Sequence, residues 1–156
     1  AQAVGDRFVE TNALANLGMM QRFLGDLEAA RWSLEAALSR TDELGYRGIE
    51  PTLWSELGWI ARKQHDGARA AKWYQKALKA ALEQGLKPQI IAALENIAFV
   101  LAEQKHENEA VQLFGFAAKE RKRLGYTQIP VDVQEYEYYY ARWQNGLTEE
   151  AWQTLW

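Results

Sequence analysis

The chain has 156 residues, enough for one domain with a substantial core, and carries a net charge of −3 with a sequence pI near 5.5. Because phosphate contacts need clustered lysine and arginine, this mildly acidic chain is a poor candidate for direct nucleic-acid binding. The absence of cysteine excludes disulfides and thiolate metal sites and is compatible with the cytoplasm, and no apolar run is long enough to predict a membrane span.

The hydrophobic periodicity predicts helices throughout the chain. Apolar residues recur at spacings of three, four and seven, which is typical of helices with one buried face. We expect helices at about 6–24, 27–44, 48–64, 67–84, 88–104, 107–124, 131–144 and 148–156. Pro51, Pro88 and Pro130 fall at helix starts, where a missing backbone N–H costs little. The sequence therefore predicts an all-α fold.

Turn signals divide these helices into pairs. Glycine recurs with a 40-residue period at Gly5, Gly45, Gly85 and Gly125, and the last three are each followed by an apolar residue. This is the pattern of a left-handed cap that ends a helix. Within each pair, we expect short turns at Leu24-Gly25-Asp26, Gln64-His65-Asp66 and Lys105-His106-Glu107.

Small and large side chains share the same 40-residue period. In the first helix of each pair they stand at Leu17-Gly18, Leu57-Gly58 and Ile97-Ala98. In the second helix, a large residue lies between alanines, at Leu34, Tyr74 and Phe114. Small residues let two helices approach closely, and the large ones fill the space beside them. Since one hairpin cannot cover its own apolar face, we expect successive hairpins to stack.

These columns resemble the tetratricopeptide repeat (TPR). The first unit carries its pattern at Leu14, Leu17-Gly18, Gly25-Asp26, Ala30, Leu34 and Ala37. The resemblance covers residues 5 to about 125, although the 40-residue unit is longer than the usual 34-residue one and lacks the terminal proline. It implies a right-handed superhelix of antiparallel helical hairpins, with a concave face lined by the first helix of each hairpin.

We expect residues 1–156 to form a single domain. Its repeats are about 5–44, 45–84 and 85–124, followed by a divergent capping hairpin at 125–156 that aligns only after an insertion. The sequence begins with Ala1 and not with methionine, and Trp156 lies within an amphipathic stretch. We therefore interpret the sequence as a piece of a longer array, whose exposed repeat end could self-associate.

The long units are similar to those of bacterial signal-transducing ATPases of the STAND class, LuxR-like ATP-dependent transcription activators and Pins-type polarity adaptors. The segment from Phe114 to Trp152 looks like the tail of those activators' arrays. This similarity implies a sensor or regulatory domain, in which binding shifts a larger protein between states. The alternative is a protein–protein adaptor without a switching role. Lacking a phosphate loop, an H-E-x-x-H motif or a nucleophile–base arrangement, the sequence indicates no enzyme.

The resemblance places nine candidate binding residues on the concave face: Asn16, Met19, Arg22, Ser55, Trp59, Arg62, Glu95, Asn96 and Phe99. They supply an apolar column, a guanidinium column and amides that could bond a peptide backbone. We expect them to hold a protein segment, a peptide or a small effector, without metal or cofactor. Alternatively, Trp59 and Phe99 only thicken the core. Glu56 and Glu95 occupy groove positions where the family's carboxylate clamp needs lysine or asparagine, which makes a ligand with a C-terminal carboxylate doubtful.

Two further groups have simpler interpretations. His65 and His106 are expected to be solvated turn residues, since a metal site needs more converging ligands. An aromatic cluster is predicted near the C-terminus, at Tyr136, Tyr138, Tyr139, Tyr140 and Trp143. It either caps the stack or faces a partner.

Overall fold

A computed structural model describes residues 2–127 and 130–146. Within these residues the chain forms one 3₁₀ turn, Arg47–Ile49, and seven α-helices: α1 (Gln2–Phe23), α2 (Leu27–Leu44), α3 (Glu50–Lys63), α4 (Gly67–Glu83), α5 (Lys87–Glu103), α6 (Glu107–Leu124) and α7 (Pro130–Gly146). The predicted all-α helical repeat fold is confirmed. The helix predicted at 148–156 lies outside the described residues.

Glycine ends the second helices as predicted. Gly45 and Gly125 adopt left-handed φ values of 64° and 69° after α2 and α6, and Gly85 has φ 66° after α4. Gly5 differs, because it lies inside α1, which begins at Gln2 and not at the predicted residue 6. At the third helix the prediction is also early, since the 3₁₀ turn takes up residues 47–49 and α3 begins at Glu50.

The turns inside the hairpins share a second left-handed residue. Gly25, His65 and Lys105 have φ values of 85°, 61° and 67° and occupy the same position in successive units. The third turn is therefore Gln104-Lys105-His106. The predicted turn, Lys105-His106-Glu107, was one residue too late. In the first two turns the next residue caps the second helix, as Asp26 Oδ1 accepts a hydrogen bond from the Ala29 N–H at 3.1 Å.

Close approach of the two helices repeats from hairpin to hairpin. A Cβ added to Gly18 would lie 2.6 Å from Leu34 Cγ, and one added to Gly58 would lie 2.7 Å from Tyr74 Cε1. Both distances are far below ordinary carbon–carbon contact, so glycine is required for this spacing. In the third hairpin, Ala98 and Phe114 are fully buried in one cluster. The predicted small–large packing is thus present in all three hairpins.

The helices pack in chain order, each hairpin against the next. Leu57 and Ile60 of α3 belong to a core cluster with Leu34 of α2, which joins the first two hairpins. At the other end, Tyr139 and Trp143 of α7 are buried in a cluster with residues of α5 and α6. Across residues 2–127 and 130–146, no helix is both long and apolar enough to cross a membrane.

Candidate functional site

The first helices of successive hairpins are joined by buried arginines. Arg22 of α1 forms an ion pair with Glu56 of α3, and its guanidinium carbon lies 4.7 Å from the centre of the Trp59 ring. A cation over an aromatic face is attracted by the ring quadrupole, more strongly where water is excluded. Arg22 thus packs against both the carboxylate and the aromatic ring of the next first helix.

One repeat later, Arg62 has the same role. Its guanidinium carbon lies 5.4 Å from the centre of the Phe99 ring on α5. One of its nitrogens, Nη2, donates to Glu103 Oε1 at 2.7 Å and to Glu135 Oε1 of α7 at 2.6 Å. We call Arg22, Arg62 and their carboxylate partners the arginine ladder. It connects α1 to α3, and α3 to both α5 and α7.

The charge on Arg62 is held by its partners. The side chain is only 1% exposed, and this burial alone would lower the arginine pKa. Hydrogen bonds to Glu103 and Glu135 outweigh burial, so the pKa of Arg62 is raised and the guanidinium stays charged. Because a buried charge is tolerated only with such partners, Arg62 would be costly to divert to a ligand.

Four of the nine predicted binding residues are buried by contacts within the chain: Arg22, Arg62, Glu95 and Phe99. The two arginines belong to the ladder. Glu95 accepts two hydrogen bonds from Arg121 of α6, at 2.8 and 2.6 Å, and these tie the third hairpin together. Phe99 stacks on Tyr139 with ring centres 4.6 Å apart. Phe99 therefore packs in the core, which agrees with the alternative interpretation of this residue.

The other five predicted residues remain accessible. Asn16 is exposed, and Met19, Ser55, Trp59 and Asn96 are partly buried. The side chains of Asn16, Ser55 and Asn96 form no hydrogen bond with another residue that the structure describes. Their donors and acceptors are therefore free for a peptide backbone. Whether these residues contact a ligand stays a prediction.

An open pocket lies at the α1 end of this surface. It has a volume of about 480 Å³ and is lined by Asn16, Met19, Met20, Arg22 and Phe23. Three of these were predicted from sequence as binding residues. Met20 and Phe23 were not predicted, although both are large, apolar and exposed. The exposure of Met20 could not be read from the sequence, because its equivalent in the second unit, Ile60, is buried.

The C-terminal aromatic cluster is divided between core and surface. Tyr139 and Trp143 are buried, and Trp143 contacts Phe114 edge-on with ring centres 4.8 Å apart. These residues cap the third hairpin. Tyr138, in contrast, is 60% exposed. The capping interpretation therefore describes the buried members, and Tyr138 is the one that points to solvent.

Metal binding was considered at the two histidines. His65 and His106 are exposed and lie in separate turns. In the part of the chain that the structure describes, no group of three or more histidine, aspartate or glutamate residues could hold a metal ion.

The stacked hairpins, with a small residue of one helix against a large residue of the next, define an all-α repeat fold of the tetratricopeptide type. In agreement, the family model described as tetratricopeptide repeat matches residues 11–43. No curated protein and no solved structure matches the chain. The matched segment covers the second half of α1, the turn at Gly25, and all of α2 except its last residue. Repeats of this kind are typical of scaffolds for protein–protein interaction.

Proposed function

We propose that the chain binds an extended protein segment along the surface formed by α1, α3 and α5, and that it does so as the sensor domain of a bacterial ATP-dependent regulator in the cytoplasm. The observation that carries the binding proposal is the set of unbonded polar side chains of Asn16, Ser55 and Asn96 on these first helices. Trp59, four residues after Ser55 on α3, adds a partly exposed aromatic ring. An extended segment needs both backbone partners and an apolar contact.

The arginine ladder supports the proposal, because it fixes the helices that carry these side chains. Arg22 joins α1 to α3, and Arg62 joins α3 to α5 and α7. A surface that is already ordered loses little conformational entropy when a segment binds. The same buried pairs leave no free guanidinium column, so recognition through amides and an aromatic ring is favoured over a charge clamp.

A library of random displayed peptides tests the binding proposal. We expect the wild-type chain to enrich particular sequences, and Asn96→Ala to weaken the selected peptides about fivefold to tenfold, since a lost hydrogen bond is worth roughly 1 kcal/mol. Gln75→Ala is the matched control, because Gln75 is an exposed polar residue of a second helix. Equal binding by both variants, or no enrichment at all, would refute the proposal.

The sensor role is supported by the resemblance of the long units to those of STAND-class and LuxR-like regulators, and by the ladder's reach to α7. Glu135 of α7 accepts hydrogen bonds from Arg62 of α3, so a displacement of α3 would be transmitted to α7. A sensor requires that binding energy differ between two states of the larger protein. In this proposal any ATP hydrolysis belongs to other parts of that protein, and the repeat chain itself is not an enzyme.

A plain adaptor is the second candidate, and the rigidity of the same ladder favours it. Hydrogen–deuterium exchange with a selected peptide separates the two. For a sensor, the peptide changes exchange in α7 as well as in its footprint on α1 and α3, and Glu135→Gln removes the distant effect. Protection confined to the footprint, with α7 unchanged in both forms, supports the adaptor and rejects the sensor.

A further inference from the structure

One face of α1 is exposed where the same face of the later first helices is buried. Leu17 and Met20 are 46% and 59% exposed, whereas Leu57 and Ile60, their equivalents in the second unit, are 2% and 1% exposed. In the third unit, Val100 is 2% exposed. The first hairpin thus carries the apolar residues of a stacking interface, but no described helix covers them.

The later hairpins show what covers this face. Leu57 and Ile60 of α3 lie in one core cluster with Leu34 and, at its margin, Leu38, both from α2. In the third unit, Val100 of α5 lies in a cluster with residues of α4. In each case the covering element is the second helix of the preceding hairpin. A helix with the apolar stripe of α2 or α4 therefore fits over Leu17 and Met20.

A neighbouring edge of α1 supports the same conclusion. The open pocket of about 480 Å³ contains Met19 and Phe23. Met19 stands in the column of Trp59 and Phe99, each of which is covered by an arginine from the preceding first helix. At Met19 that arginine is missing among the described residues. The face therefore has places for both helices of a hairpin.

The sequence at Gly5 provides a third, independent sign. Gly5 stands one 40-residue period before Gly45, which ends a second helix with a left-handed conformation. Arginine follows two positions after each of them, at Arg7 and Arg47. Gly5 thus occupies the register position that closes a second helix in the other three units. In this structure Gly5 is helical and lies inside α1, so docking of a preceding hairpin requires α1 to begin after Gly5.

We propose that the exposed face of α1 is the docking site for another hairpin of the same repeat type, joined to this chain ahead of Gly5, with its second helix over Leu17 and Met20 and its first helix over Met19. A second copy of the chain fits less well. The second-helix faces that could cover α1 are already packed, α2 on α3 and α4 on α5, while Phe114 of α6 is covered by Trp143 of α7.

An extended chain tests this docking site. A copy of residues 46–85 is placed directly before Asp6, so that the copied glycine replaces Gly5 and the 40-residue period continues. The rest of the chain is kept whole. We expect amide exchange in residues 11–23 of α1 to slow at least tenfold, with a single cooperative unfolding transition, because each hairpin is stabilised by its neighbour.

Met20→Lys is the matched control in both chains. Since Met20 is exposed, the substitution should leave the original chain folded and its unfolding midpoint nearly unchanged, yet it should remove most of the added protection in the extended chain. Exchange in α1 that stays as fast after extension would overturn the proposal and leave the face to an unrelated partner. Self-association of the original chain at micromolar concentration, abolished by Met20→Lys, would also overturn it, since the occupant would then be a second copy.

Discussion

Gly58→Ala tests the close approach of α3 and α4, on which the repeat packing depends. An alanine Cβ at this position would lie 2.7–2.9 Å from three ring carbons of Tyr74, where ordinary carbon contacts are about 3.5–4.0 Å. Tyr74 is fully buried in a cluster with Ala61, Ala70 and Val100. The ring therefore has little room to move away, and the two helices must separate.

Two opposing effects set the size of the change. Overpacking a well-filled core costs about 1–3 kcal/mol, and the upper half of that range applies here because the ring is enclosed on all sides. Replacing glycine by alanine inside a helix gains roughly 0.8–1 kcal/mol. The net expectation is a loss of about 1–2 kcal/mol in the free energy of unfolding, which lowers the melting temperature by a few degrees for a chain of this size.

Urea unfolding followed by circular dichroism measures this loss. Gly5→Ala is the control, because its Cβ would have no neighbour within 4 Å and the substitution should be neutral or slightly stabilising. If Gly58→Ala instead raised the stability by the full helix preference of alanine, α3 and α4 would not be in close contact at this position. The small–large packing argument would then fail for the second hairpin.

Three further predictions concern ionisable groups. Arg62→Ala should lower the free energy of unfolding in urea by about 2–3 kcal/mol. This is below the usual range for a broken buried pair, because the carboxylate partners of Arg62 are partly exposed. Arg31→Ala is the control: it breaks exposed pairs and should cost under about 1 kcal/mol. Burial raises the pKa of Tyr139 to about 12, so the stability that its neutral phenol contributes should be lost as pH rises from 10 to 12. Tyr139→Phe should therefore show a smaller loss of stability over this pH range, and an equal loss would contradict the prediction. Burial also raises the pKa of Glu50, so the ionised carboxylate destabilises the folded state once pH rises above the ordinary pKa of glutamate. Glu50→Gln should therefore be more stable than wild type in thermal melts at pH 7 but not at pH 3.

The repeat itself was readable from sequence, because the signals that build it are local and recur. Gly45, Gly85 and Gly125 end helices through their own backbone freedom, and their 40-residue spacing gives the length of the unit. The pairing of Gly58 with Tyr74 follows from the same period. Within the described residues, the seven α-helices and the small–large packing between them were therefore predicted correctly, although the third turn was placed one residue late.

The candidate site was only partly readable, because burial depends on which helix comes to lie opposite each residue. Arg62 has the same sequence pattern as a free groove residue, yet its partners Glu103 and Glu135 are 41 and 73 residues away along the chain. No spacing rule links residues so far apart, and Glu135 belongs to the divergent final segment. Leu17 and Leu57 likewise share one column but differ in exposure, since only the second has a preceding hairpin against it. The sequence by itself determined the unit and its caps. Only the tertiary structure decided which side chains hold the units together and which stay free, because that choice is made by contacts between hairpins.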